Sequence, residues 1–161
     1  INHPERVDKL VLGCTYARRD GTSGFTSEIN KALEAYERSS RDKASQRRLA
    51  YAFMDSVFNK WSYRAFLPLI KIAIRFSAIR GSAGQSDALL AHDAADRLGM
   101  IKASTLVITG TEDRLVNPVS SEVIASLVPR ARLVKVIGGG HSFYMEMRDE
   151  FNREVLDFLR N

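Results

Sequence analysis

The sequence predicts an α/β fold, a small parallel sheet covered by helices. Two apolar runs, "STLVITG" (104–110) and "ARLVKVI" (131–137), have the length of strands and run into glycines. Segments with helical spacing separate and follow them. The resulting order is one strand, four helices, then strand, helix, strand, helix. Crossovers of this kind place helices on the faces of a parallel sheet.

The elements follow in order. Residues 7–13, "VDKLVLG", alternate and then turn apolar, which predicts a short buried strand ended by Gly13. A polar loop with two glycines, "TYARRDGTSG", comes next. Phe25, Ile29, Leu33 and Tyr36 lie at helical spacing and predict a helix over 25–38. Leu49, Phe53 and Val57 do the same over 42–59. Residues 63–79 are strongly apolar, and Pro68 should start or kink a helix there. A further helix is expected over 86–98, capped by Ser86 or Asp87 and stopped by Gly99. The strand 104–110 leads to a helix over 117–128, with Asn117 as N-cap and Pro118 in the first position. The strand 131–137 leads through "GGGHSF" to a last helix over 145–160. Met147, Phe151, Val155 and Phe158/Leu159 share its apolar face.

The chain has 161 residues, 45% of them hydrophobic and 27% charged, an ordinary balance for one domain. No apolar run is long enough to span a bilayer, so no membrane role is expected. There is no signal-peptide pattern, and the first residue is not Met, so a segment before Ile1 is expected. The single cysteine, Cys14, excludes an internal disulfide framework and fits a reducing, cytoplasmic setting. The net charge is +5, and residues 17–80 hold 13 basic against 6 acidic residues. Without a nucleic-acid motif or a basic stripe interleaved with aromatics, this surplus reads as solvated helix surface.

Two loops directly after strands carry the chemistry. "GTEDRLVNP" holds Glu112 and Asp113, and "GGGHSF" holds His141. In a parallel α/β sheet the strand C-termini share one rim, where ligands bind. Asp113 and His141 should therefore meet there. A carboxylate beside an imidazole holds its tautomer and stabilises the imidazolium. His3 and His92 lack such a setting, and no His, Cys or carboxylate spacing suggests a metal site.

The stretches "TLVITGTEDRLVNP" and "ARLVKVIGGGHSFYMEMRDEFNREVLDFL" resemble the C-terminal end of the α/β-hydrolase superfamily, most closely its esterase and enol-lactonase-like branch. "HPERVDKLVLG" resembles that family's sixth strand and its lead-in. The resemblance implies a partial α/β-hydrolase fold with family strands six to eight, a core at 1–16 and 98–161, and a helical cap at 17–97. It implies Asp113 as the acid after strand seven and His141 as the base after strand eight. It also implies that the nucleophile, in a G-x-S-x-G elbow, lies outside this chain. "GTSG" (21–24) is not that elbow, because Phe25 stands where the second glycine belongs.

Several expectations follow from the resemblance. The activity is cleavage of a small apolar ester or lactone by an acid–base–nucleophile triad, without cofactor or metal. An Asp nucleophile would instead make the same pair serve a dehalogenase or epoxide hydrolase, and a cofactor-free haloperoxidase shares the pattern. A non-catalytic ligand-binding or interaction module is the other alternative. The first strand should have an open edge, so the chain should pair with a missing N-terminal half or self-associate there.

Overall fold

The computed structural model describes residues 1–76 and 82–161. Strands β1 (Lys9–Gly13), β2 (Ser104–Gly110) and β3 (Ala131–Val136) form one parallel sheet in the order β1-β2-β3. Leu10 aligns with Thr105, and Thr105 with Ala131. The described helices are α1 (Ser27–Glu37), α2 (Lys43–Val57), α3 (Trp61–Arg64), α4 (Leu67–Phe76), α5 (Ser82–Ala91), α6 (Val119–Leu127), α7 (Phe143–Glu146) and α8 (Arg148–Arg160). Helices α1 to α5 all belong to the excursion between β1 and β2, as the sequence order requires. None of the described helices is long and apolar enough to cross a membrane.

The central strand explains its own composition. Leu106 and Ile108 pack with Val136, Phe143 and the α8 residues Phe151, Val155 and Phe158 on one face. Val107 points to the other face, against Ile124 of α6 and Val128 beyond it. Burial on both faces is why "LVI" shows no polar alternation. Each of these side chains contributes roughly 1.5–3 kcal/mol by leaving water. β1 differs from expectation: Lys9 to Leu12 are only half-buried. The strand lies at the sheet edge and pairs only with β2 among the described residues.

Local signals place most of the helices. Ile29, Leu33 and Tyr36 are the buried face of α1, and Phe25 precedes the helix in a bridge to Val116. Asp42 caps α2, accepting the Ser45 amide at 2.8 Å. Pro68 occupies the second position of α4, where its missing N–H costs nothing. Residues 77–79 of the expected 63–79 helix lie outside the described residues. α6 starts one residue later than expected, with Pro118 rather than Asn117 in the N-cap position, and Asn117 Oδ1 accepts the Val119 amide at 3.1 Å.

Two helices break where periodicity alone would continue them. The expected 86–98 helix ends at Ala91, with Ser86 and Asp87 inside α5 rather than capping it. Gly99 then sits inside a 3-10 turn, Ala95–Met100, and stops nothing. The cause is tertiary. The Ala94 amide donates to the Ala17 carbonyl at 2.8 Å. Arg18 donates to Asp93 at 3.2 Å and to Asp96 at 2.7 Å, drawing this segment onto the loop after β1. The expected 145–160 helix is likewise split, at Met147 with φ −133°. In α8 Phe158 faces the sheet, whereas Leu159 is exposed.

Candidate active site

The site is built where β2 and β3 end. Beyond Gly110 the chain turns at once, and Asp113 is buried in that turn. Its Oδ1 accepts the amides of Leu115 at 2.8 Å and Val116 at 2.9 Å. This is the self-capping geometry that makes Asp a turn residue. Its second oxygen, Oδ2, lies 2.9 Å from Nδ1 of His141. An ionised carboxylate only accepts, so Nδ1 carries the ring proton and Nε2 keeps a lone pair.

The glycine triplet before His141 has a steric purpose. Gly138 adopts φ +74°, a left-handed turn that reverses the chain after β3. Gly139 then crosses against the end of β2. A Cβ placed on Gly110 would lie 2.1 Å from the Gly139 carbonyl oxygen. This close crossing zips the two loops together. The Glu112 amide donates to the Gly139 carbonyl at 2.9 Å, and the Gly138 amide to the Thr111 hydroxyl at 2.9 Å. The carboxylate and imidazole are thereby held together across 28 residues of sequence.

Two braces steady these loops. Residues 24–26 bind the chain just beyond Asp113: the Asn117 amide donates to the Gly24 carbonyl at 2.9 Å, and the Thr26 amide to the Leu115 carbonyl at 3.0 Å. The Ser120 hydroxyl accepts the Gly24 amide at 2.8 Å. "GTSG" is therefore part of this brace, and Ser23 is buried in it, away from the cavity that His141 lines. The second brace runs from the end of α2 to the His141 loop. The Ser142 amide donates to the Val57 carbonyl at 3.1 Å. Glu146 Oε1 accepts the amides of Asn59 at 2.9 Å and Lys60 at 2.6 Å, and Lys60 Nζ reaches the Glu146 carbonyl. Asn59 Nδ2 also donates to the Glu112 carbonyl at 2.8 Å. No sequence signal singles out Glu146 or Asn59, because the pairing joins segments far apart in the chain.

This second brace is testable. Glu146→Ala leaves two half-buried amides without their acceptor and is expected to cost about 1–3 kcal/mol, or roughly 3–10 °C in Tm. Glu146→Gln keeps a carbonyl oxygen and should lose less. Equal losses in the two variants, measured by thermal denaturation, would show that the acceptor role is immaterial.

A cavity of about 470 Å³ opens beside His141. Leu49, Phe53 and Met54 of α2, Leu89 of α5, and Tyr16 beyond β1 form its apolar walls. Gln46, Gln85 and Ser86 add neutral polar groups, and no Lys, Arg, Asp or Glu lines it among the described residues. Cys14 and His141 form its floor, whereas Asp113 does not reach it. Most of the large apolar residues of 53–74 do not line it. Only Phe53 among Phe53, Phe58, Trp61, Phe66, Leu69 and Ile70 lines the cavity. Trp61 is 82% exposed, and Phe66 and Leu69 also face outward. His92 is exposed beside Tyr16, its ring centroid 5.2 Å away and perpendicular.

Comparison with known proteins agrees with this architecture. The chain is 37% identical over 165 residues to a 2-hydroxy-6-oxononadienedioate/2-hydroxy-6-oxononatrienedioate hydrolase of Comamonas testosteroni, covering all of this chain and 57% of that protein. It is 42% identical over 73 residues to the 2-hydroxy-6-oxo-6-phenylhexa-2,4-dienoate hydrolase of Burkholderia cepacia, covering 45% of this chain and 26% of that protein. Among solved structures it is similar to the enol-lactonase of Burkholderia xenovorans LB400, with a TM-score of 0.70 and 25% identity, covering 99% of this chain and 58% of that one. The chain thus spans less than two thirds of the length of these relatives. Residues 1–147 match the family model for the alpha/beta hydrolase fold. With the parallel sheet and the two strand-end loops in place, the chain belongs to the α/β-hydrolase family.

Proposed function

We propose that this chain is the base- and acid-bearing part of a serine hydrolase that cleaves a neutral carboxylic ester or lactone. The observation carrying this reading is the 2.9 Å contact between His141 Nδ1 and buried Asp113 Oδ2 at the floor of an apolar cavity. His141 Nε2 takes the proton of an attacking hydroxyl as it adds to the substrate carbonyl. The resulting imidazolium, stabilised by Asp113, returns that proton to the leaving alkoxide. Water then attacks the acyl group with His141 again as base, and the imidazolium returns the proton to the departing enzyme oxygen as the carboxylic acid is released. The chemistry needs neither metal nor cofactor. The hydroxyl comes from a segment outside these residues, and the edge of β1, unpaired among the described residues, fits strand pairing with it. Residues 17–97 act as a cap, with α2 and α5 roofing the cavity over a core formed by 1–16 and 98–161.

The walls select the substrate class. No cationic side chain lines the cavity among the described residues, which favours an uncharged acyl group over a carboxylate-bearing one. The test is turnover of short-chain nitrophenyl esters by this chain together with the nucleophile-bearing segment. Nitrophenyl butyrate is expected to exceed nitrophenyl hemisuccinate by about tenfold in kcat/KM, since an unpaired carboxylate is costly to desolvate. Faster cleavage of the hemisuccinate would overturn the neutral-substrate reading.

A further inference from the structure

The single cysteine has an unusual place in this site. Cys14 follows β1 directly, and its amide still donates to the Ile108 carbonyl at 3.0 Å. Its backbone adopts φ +45°, a left-handed conformation that non-glycine residues rarely take. Its Sγ, a carboxylate oxygen of Asp113 and a ring nitrogen of His141 all lie within 4.8 Å of one another. Cys14 and His141 line the cavity, while the carboxylate behind them is fully covered.

A thiol on a strained turn beside a histidine resembles an attacking group, but its surroundings argue otherwise. A nucleophilic cysteine needs thiolate character, normally from a positive environment. Here burial, and then the negative charge of Asp113, push the Cys14 thiol up to about 12. At neutral pH the sulfur keeps its proton, and the acceptor at hand is the Asp113 carboxylate. Of the neighbouring carboxylates, Glu112 is exposed, and Glu146 holds the amides of Asn59 and Lys60.

We propose that Cys14 is a positioning residue for the Asp113–His141 pair, its thiol covering the carboxylate on the cavity side and donating a hydrogen bond to it. Asp113 then has a donor on each side: two amides at Oδ1, the ring at Oδ2, and a thiol where water would otherwise enter from the cavity. Cavity water would compete with the ring for Oδ2 and loosen the tautomer that leaves Nε2 unprotonated. The proposal rests on reading Asp113 and His141 as an acid–base pair, but its tests do not need ester turnover.

The first test is the imidazole tautomer of His141, read by nitrogen NMR on this chain as wild type, Cys14→Ser and Cys14→Ala. Cys14→Ala is expected to raise the Nε2–H share about fivefold, what one lost hydrogen bond is worth. Cys14→Ser, which keeps a donor, should restore the wild-type ratio. An unchanged ratio in Cys14→Ala would overturn the proposal. The second test needs no change at Cys14. Asp113→Asn removes the charge and the strong acceptor, so iodoacetamide should alkylate Cys14 several-fold faster at pH 8 than in the wild type. An equal rate in a folded Asp113→Asn protein would likewise overturn it. Failure of the hydrolase reading would appear separately, as absent ester turnover with both of these responses intact.

Discussion

His141→Ala is expected to abolish ester hydrolysis, lowering kcat by about 10³–10⁶-fold in the protein supplied with its nucleophile. The imidazole is the one group on the cavity floor that can accept a proton at neutral pH and return it. Cys14 keeps its proton there, and Asp113 is sealed behind the ring. The remaining lining residues are apolar or neutral polar among those described. Because His141 is only half-buried, its loss should leave the fold in place. The variant should therefore keep its circular dichroism and bind a neutral ester analogue while turning none over. Wild-type kcat in His141→Ala would refute the assignment of base and acid to this ring.

The second large effect is expected from a residue that touches no substrate. Gly110→Ala places a methyl carbon 2.1 Å from the Gly139 carbonyl oxygen, 2.4 Å from the Gly139 carbonyl carbon and 2.7 Å from the Gly140 carbonyl oxygen. These are backbone atoms, so no side chain can rotate away, and one of the two loops must move. Overpacking against backbone is expected to cost about 3 kcal/mol, or roughly 6–12 °C in Tm. The loop most easily displaced is the one carrying His141, held by Glu112 N–H to Gly139 and Gly138 N–H to Thr111. Activity should therefore fall even well below the new Tm, with the His141 ring losing its single tautomer. A Tm within a degree of wild type would contradict the close crossing of the two strand ends.

Both expectations depend on features with different visibility. The strand β2 and the helix α6 are written in neighbouring residues: a run of apolar side chains buried on both faces, and an Asn-Pro start. Asp113 and His141 are also locally marked, since each follows a strand and its glycine. The parallel arrangement then leaves them only one rim to share. The helix ends at Ala91 and Met147 are not marked: Arg18 and the Ala17 carbonyl hold the chain beyond the first from elsewhere, and Asn59 and Lys60 bond Glu146 beside the second. The cavity walls are unmarked for a related reason. A helix such as α4 is apolar enough to face a pocket, yet its Leu69, like Phe66 just before it, points outward, and the less conspicuous Leu49 and Met54 of α2 face it.

By itself, then, the chain's pattern determined a parallel α/β layer with a helical excursion and two chemical loops on its rim. Those features depend on side-chain period and turn chemistry over a few consecutive residues. Tertiary structure alone decided that Cys14 lies against the carboxylate, that Glu146 ties α2 to the histidine loop, and that Gly110 and Gly139 cross backbone to backbone. Each of those is a close meeting of distant segments. No short-range period encodes such distances, which arise only when the layers pack.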